Sequence, residues 1–139
     1  MKIITEQITI KTKGNNDIID ITNLIEEKLK ETKLNEGFIN IFIAGSTAGI
    51  TTVEYESGLI KDLNDLFEKI APSSKNYAHN FRWHDGNGHS HLLSSLFKTN
   101  FTVPFKNNEL LLGTWQQIIF IDFDIHPRTR NVIVQIIGE

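Results

Sequence analysis

The chain contains no cysteine, so a disulfide framework, thiolate metal ligands and a cysteine nucleophile are all excluded. Any transition metal must then rely on nitrogen and oxygen donors. No apolar run approaches the length that spans a bilayer, and residues 1–6 alternate polar and apolar side chains instead of forming a signal-peptide core. A cytoplasmic location without a membrane partner is expected. Lysine and arginine form no cluster and the formal net charge is -3, which leaves no electrostatic footprint for nucleic acid. What is present is an ordinary globular balance, 40% apolar and 22% charged over 139 residues, which predicts one folded domain spanning 1–139.

Hydrophobic periodicity predicts the elements. Residues 2–12 alternate as a strand and end at the turn-like Gly14-Asn15-Asn16. Asp17 reads as a helix N-cap, because Ile18, Ile21, Leu24, Ile25 and Leu29 recur at helical spacing behind it. Gly37 opens the apolar run of residues 38–43, suited to a buried central strand, and residues 50–55 resume the β pattern after the small residues 44–49. That arrangement predicts a hairpin with a flexible tip. Ser57 reads as the cap of a second helix carrying Leu59, Ile60, Leu63, Leu66, Phe67 and Ile70, ended by Pro72. Residues 73–88 show no period, and a third helix is predicted from near Asn87, with Leu92, Leu93, Leu96 and Phe97. The remainder reads as strands at 101–105, 110–112, 114–124 and 131–137. Short turns between strand pairs imply an α+β fold, mainly antiparallel, with about three helices packed on the sheet.

Four of the five histidines fall between residues 79 and 91, beside Asp85 and Asn87. Imidazole and carboxylate together are the ligands a divalent ion accepts when thiolates are absent. His79 and His84 match no zinc spacing, however, and polar loop residues satisfied by water or backbone would look the same. His89 and His91 are two apart, which on a helix points them to roughly opposite faces, so only one joins a shared site. The position of His91 beside Leu92 and Leu96 favours His91. On the strand predicted for 114–124, Gln116 and Asp122 share a face but lie about 20 Å apart, so they meet at one ligand only if two copies of the chain contribute. Glu54, next to the bend Gly45-Ser46-Thr47-Ala48-Gly49, is an acid/base candidate. Trp115 is a candidate for stacking on a ring, although a strand tryptophan is more often core packing, and Arg128 and Arg130 are candidates for phosphate or, at least equally, for pairing with Asp122, Asp124 or Glu139.

The order of these motifs resembles the YjbQ family, also called the secondary thiamine-phosphate synthase family. Ser46-Thr47-Ala48-Gly49 with Glu54 comes first, then Tyr77-Ala78-His79. Asp85-Gly86-Asn87-Gly88-His89-Ser90-His91, Gly113-Thr114-Trp115-Gln116 and a terminal segment from Arg130 follow. The resemblance covers nearly the whole chain. It implies a homotrimer with a site near subunit boundaries, acting on a small molecule. By the same carry-over, His79, His91 and Asp85 are the metal candidates, for zinc or magnesium, and Ser46, Thr47, Asn87 and Trp115 the substrate-binding candidates. Glu54, Gln116, Asp122 and Arg130 are the catalytic candidates. The implied activity is weak thiamine-phosphate formation, coupling a pyrimidine-methyl diphosphate to a thiazole phosphate. Metal-assisted hydrolysis and non-catalytic ligand binding use the same residues. Many relatives begin the small-residue motif with histidine where this chain has Gly45, which raises His84 and His89 as substitutes.

Overall fold

The computed structural model describes all 139 residues. Eight strands and four helices follow in the order β1 (Lys2–Thr12), β2 (Asp17–Asp20), α1 (Thr22–Thr32), β3 (Glu36–Ile43), β4 (Ala48–Val53), α2 (Ser57–Ile70), α3 (Ala78–Trp83), α4 (Gly88–Phe97), β5 (Asn100–Lys106), β6 (Glu109–Leu110), β7 (Gln117–Asp122) and β8 (Arg128–Gly138). The strands form a five-stranded sheet, β1-β8-β3-β5-β6, and a three-stranded sheet, β2-β7-β4, with every pairing antiparallel. The α+β class and its antiparallel sheets are as expected from the periodicity.

The run Ile118-Ile119-Phe120-Ile121 is wholly buried because β7 lies in the middle of three layers. Ile118 and Phe120 face the larger sheet and join Ile39, Ile41, Val103, Val132 and Val134 in one core. Ile119 and Ile121 face the other way, against Phe67 of α2 and Leu93 of α4. Phe123 completes that second core, meeting the Phe67 ring edge-on at 5.1 Å between centroids. Period-2 alternation therefore buries both faces of β7, and truncating a side chain such as Phe67 to Ala would cost about 3–5 kcal/mol.

Several elements differ from the sequence reading. Asp17 does not cap a helix: residues 17–20 form β2, paired with β7 in the register Asp17↔Asp122 to Asp20↔Ile119. The helical spacing of Ile18 was coincidental, since a free edge of the buried β7 outweighs local propensity. Helix α1 starts instead at Thr22, whose N–H and hydroxyl both donate to Asp20 Oδ1. The segments on either side of Gly45 do not form a hairpin, because β3 belongs to the larger sheet and β4 to the smaller. The small residues 44–47 carry the chain from one layer to the other. Glu56, not Ser57, caps α2, its carboxylate accepting from the N–H groups of Gly58 and Leu59. Residues 111–116 are not strand, and the region without period contains α3, which makes four helices. Helix α3 lies close against α4 because Gly88 has no side chain. A Cβ there would stand 2.6 Å from the Cβ of Tyr77 and 2.9 Å from Asn80 Oδ1, the atom that accepts the Gly88 N–H.

Candidate functional site

At the end of the sandwich where β7 finishes, two buried carboxylates bridge the sheets. Asp122 is fully buried, and its oxygens accept four hydrogen bonds: from Thr12 Oγ1 at 2.6 Å, Arg130 Nε at 2.9 Å, Arg130 Nη2 at 2.8 Å and the Asp124 N–H at 3.0 Å. Asp124 accepts from Arg128 Nε at 3.0 Å, Thr47 Oγ1 at 3.1 Å, Asn87 Nδ2 at 3.3 Å and the Ile125 N–H at 2.8 Å. Burial alone would raise the Asp124 pKa. The Ile125 N–H, Asn87 and Arg128 outweigh that and hold it below the ordinary value. Arg130 and Arg128 are thus each committed to a carboxylate.

The histidines connect to this network through one amide. Asn87 Nδ2 donates to the Asp124 carboxylate, so its Oδ1 must accept, and it faces His79 Nε2 at 3.1 Å. His79 therefore carries its proton on Nε2 when neutral and keeps a lone pair on Nδ1, the nitrogen a general base needs. The His91 ring lies 4.3 Å from the His79 ring, centroid to centroid. Burial holds the His91 pKa below the ordinary histidine value and His79 pushes the same way, against Asp85, Asp124 and the Ser46 carbonyl.

The structure brings together Thr47, His79, Asp85, Asn87, His91, Asp122 and Arg130 at this end, with Ser46 beside His91. It does not bring Glu54, Trp115 or Gln116 there. Glu54 is exposed beyond the end of β4, Trp115 is 73% exposed in a turn, and Gln116 donates to Thr52 Oγ1 at 3.0 Å. These lie at the opposite end of β7, about 20 Å from Asp122 at the usual rise per residue. Of the two candidates to replace a histidine at Gly45, His84 is exposed at the C-cap of α3, and His89 is buried with Nε2 toward Ser90 Oγ at 3.4 Å. Neither hydrogen-bonds His79 or His91. A Cβ at Gly45 would stand 3.0 Å from Arg130 Nη1, so a larger residue there would press on the ion pair.

The metal candidates are neighbours without being a ligand set. His79 Nε2 is 3.4 Å from Asp85 Oδ1, but that nitrogen bears the proton shared with Asn87, and no three His, Asp or Glu side chains are arranged to hold an ion. Within one chain these side chains do not converge as a complete ligand set.

The alternation already placed Asp124 on the Asp122 face as a possible arginine partner, and it does bind Arg128; what the sequence did not mark is that Asp124 also holds Asn87 and Thr47. The sequence also did not single out Lys98, at the end of α4. It has φ 73° and ψ 163°, a region nearly restricted to glycine that costs another residue about 1–3 kcal/mol. Together with Gly45, Ser46, His91, Ser94, Ser95, Thr99 and Asn100 it lines an open depression of about 430 Å³.

Comparison with known proteins agrees with the motif order. A family model described as UPF0047 protein YjbQ-like matches residues 6–139. A UPF0047 protein of Methanothermobacter thermautotrophicus is 34% identical over 139 residues, covering 100% of this chain and 95% of its own. The UPF0047 protein YugU of Bacillus subtilis is 35% identical over 133 residues, covering 94% and 97%. Among solved structures, a YbjQ-like protein of unknown function from Sulfolobus solfataricus superposes with a TM-score of 0.94 at 30% identity, covering 99% of both chains. A YjbQ/UPF0047 family protein from Clostridium acetobutylicum gives 0.87 at 34% identity, covering 95% of this chain and 99% of its own. Matched along nearly its whole length in both sequence and fold, this chain belongs to the YjbQ-like UPF0047 family.

Proposed function

We propose that this protein is a small-molecule enzyme in which His79, oriented by Asn87 and Asp124, moves a proton at Nδ1, with His91 as its partner. The observation that carries the reading is the chain of contacts Asp124–Asn87–His79, which fixes the tautomer of a partly exposed imidazole beside a second one. A buried amide–carboxylate pair is an unusual anchor for a loop histidine with no task, and pre-oriented acid/base groups are what proton transfer requires.

The reaction proposed is the one the family resemblance implies, weak coupling of a pyrimidine-methyl diphosphate to a thiazole phosphate, in the cytoplasm. No step is routed through a metal ion. Chemically, the thiazole nitrogen forms a bond to the pyrimidine methylene carbon while the bond from that carbon to the diphosphate oxygen breaks. The departing pyrophosphate then needs donors and a proton source near its developing charge. His79 Nδ1, taking a proton from solvent, is suited to pass it to the departing pyrophosphate, with the His91 imidazole beside it as a hydrogen-bonding partner.

A homotrimer is part of the proposal. Large apolar side chains lie open on α3 and α4, at Phe81, Trp83, Leu92 and Leu96, while Trp115 is exposed at the far end of β7. Such surface suits burial against another copy, and a second copy would supply Trp115 and Gln116 to the histidine end of the first. The test is a turnover assay with the two coupling substrates, run beside a panel of phosphate esters, with and without added metal. Coupling lost in His79→Ala and Asn87→Ala supports the reading. Hydrolysis of an ester only when metal is added would replace it, and no turnover by a folded trimer would leave a ligand-binding protein.

A further inference from the structure

We infer that the depression between the turn at Gly45-Ser46 and the end of α4 is a subsite for a phosphate-like dianion, and that Lys98 is the residue that binds it. The inference concerns the histidine end of the molecule used in the proposed function, but it is a statement about binding and stands without turnover.

Three observations point this way. The first is the backbone of Lys98. A side chain in a region nearly restricted to glycine persists only where the surroundings over-determine it. Here the Lys98 carbonyl accepts the Ile50 N–H of β4 and the Thr99 carbonyl accepts the Ile43 N–H of β3, so this segment is pinned to both sheets at once. The fold explains why the conformation is held. It does not explain why lysine occupies it, since glycine would adopt the same backbone without strain.

The second observation is charge. Every acidic side chain is absent from the lining, and Lys98 is its one formally charged residue. The ammonium forms no ion pair, in contrast to Arg128 and Arg130, which are both bound to carboxylates. Among the residues lining this depression, Lys98 is therefore the cation available to an anionic group.

The third is the set of neutral donors. Ser46 and Thr99 contribute hydroxyls, Asn100 an amide and His91 an imidazole; the Ser94 and Ser95 hydroxyls are already donated, to the Ala48 carbonyl at 2.6 Å and the Leu92 carbonyl at 2.8 Å. The end of α4 would by itself repel an anion, but the Lys98 N–H caps its Ser94 carbonyl, which reduces the exposed negative end. Two hydroxyls, an amide and an imidazole around one ammonium match an oxyanion with three or more acceptor oxygens.

The test titrates inorganic phosphate and pyrophosphate into the wild type and into Lys98→Gly, Lys98→Gln and Lys98→Arg by heteronuclear NMR, with thermal unfolding of each. Saturable shifts at Ser46, Ser95, Thr99 and Asn100 are expected in the wild type. Affinity should fall about tenfold in Lys98→Gly and Lys98→Gln, as for loss of one charge-assisted contact, and be kept in Lys98→Arg. Lys98→Gly should also unfold at a higher temperature than the wild type. Unchanged affinity in Lys98→Gly, or no saturable shift in the wild type, overturns the inference. In either case His79→Ala still reports separately on the proposed chemistry, because its effect on turnover does not depend on phosphate binding.

Discussion

Arg130 holds Asp122 by both oxygens, Nε to Oδ2 at 2.9 Å and Nη2 to Oδ1 at 2.8 Å, with the carboxylate wholly removed from solvent. Both residues had been candidates for catalysis. Their geometry makes them a tie between the two sheets, since Asp122 lies on β7 and Arg130 on β8. Removing one partner strands the other charge in the interior. Arg130→Ala is expected to destabilise the fold by about 3–5 kcal/mol, measured by urea unfolding. A loss below 1 kcal/mol would show that water reaches Asp122 and that the pair is not structural.

The relay from Asp124 through Asn87 to His79 makes a prediction about activity without loss of fold. His79 is partly exposed, so His79→Ala should leave the unfolding midpoint nearly unchanged while turnover falls on the order of 10²–10⁴-fold. Asn87→Ala should lower turnover too, and should also reduce stability, because Asp124 loses a donor. Equal turnover in His79→Ala and wild type would exclude His79 as the acid/base group.

The pH dependence of stability follows from buried histidines. His89 and His91 both have folded-state pKa values lowered by burial, whereas in the unfolded chain they titrate near about 6.5. Between the lowered values and about 6.5 the unfolded chain binds more protons than the native one, so stability rises with pH across that window and is lost below it. Asp124 adds a second limb: its lowered pKa contributes stability present above the ordinary carboxylate value, lost as pH falls through the folded value. Urea midpoints should therefore be lower at pH 5.5 than at pH 7.5, and His89→Asn should flatten that difference. Identical midpoints at both pH values would be incompatible with neutral buried histidines.

Gly88 is expected to tolerate no side chain, because the Cβ would meet Tyr77 and Asn80 where α3 approaches α4. Gly88→Ala should cost roughly 1–3 kcal/mol as an overpacking change and displace His79, which α3 carries. Thermal unfolding measures the first effect. Loss of the His79–His91 ring-current shifts in NMR measures the second.

Zinc and magnesium titrated by calorimetry should give no saturable binding, since His79, Asp85 and His91 do not converge as ligands. A tight site abolished by His91→Ala would show that these side chains reorganise around an ion. Trp115→Ala, at an exposed turn, should change stability by less than about 0.5 kcal/mol in a monomer. In an assembly that uses Trp115, sedimentation velocity should show a shift to smaller species.

The sequence by itself determined the class of fold, the antiparallel strands and the concentration of polar chemistry in residues 79–91. Alternation in β1 and β7 and the apolar stripe of α2 are local patterns, and each survives because burial obeys the same period as the backbone. It also separated His91 from His89, since two residues on a helix point to opposite sides. Only the tertiary structure decided that residues 17–20 are strand, because their partner is a hundred residues away in β7. It also decided that β3 and β4 enter different sheets. For the site, strand alternation already set Gln116 about 20 Å from Asp122, whereas Thr12, Thr47, Asn87, Asp122 and Arg130 meet from five separate stretches of the chain. Which arginine is neutralised by a carboxylate, and which lysine is left free beside a histidine, depends on how the two sheets are stacked, and no local pattern records that.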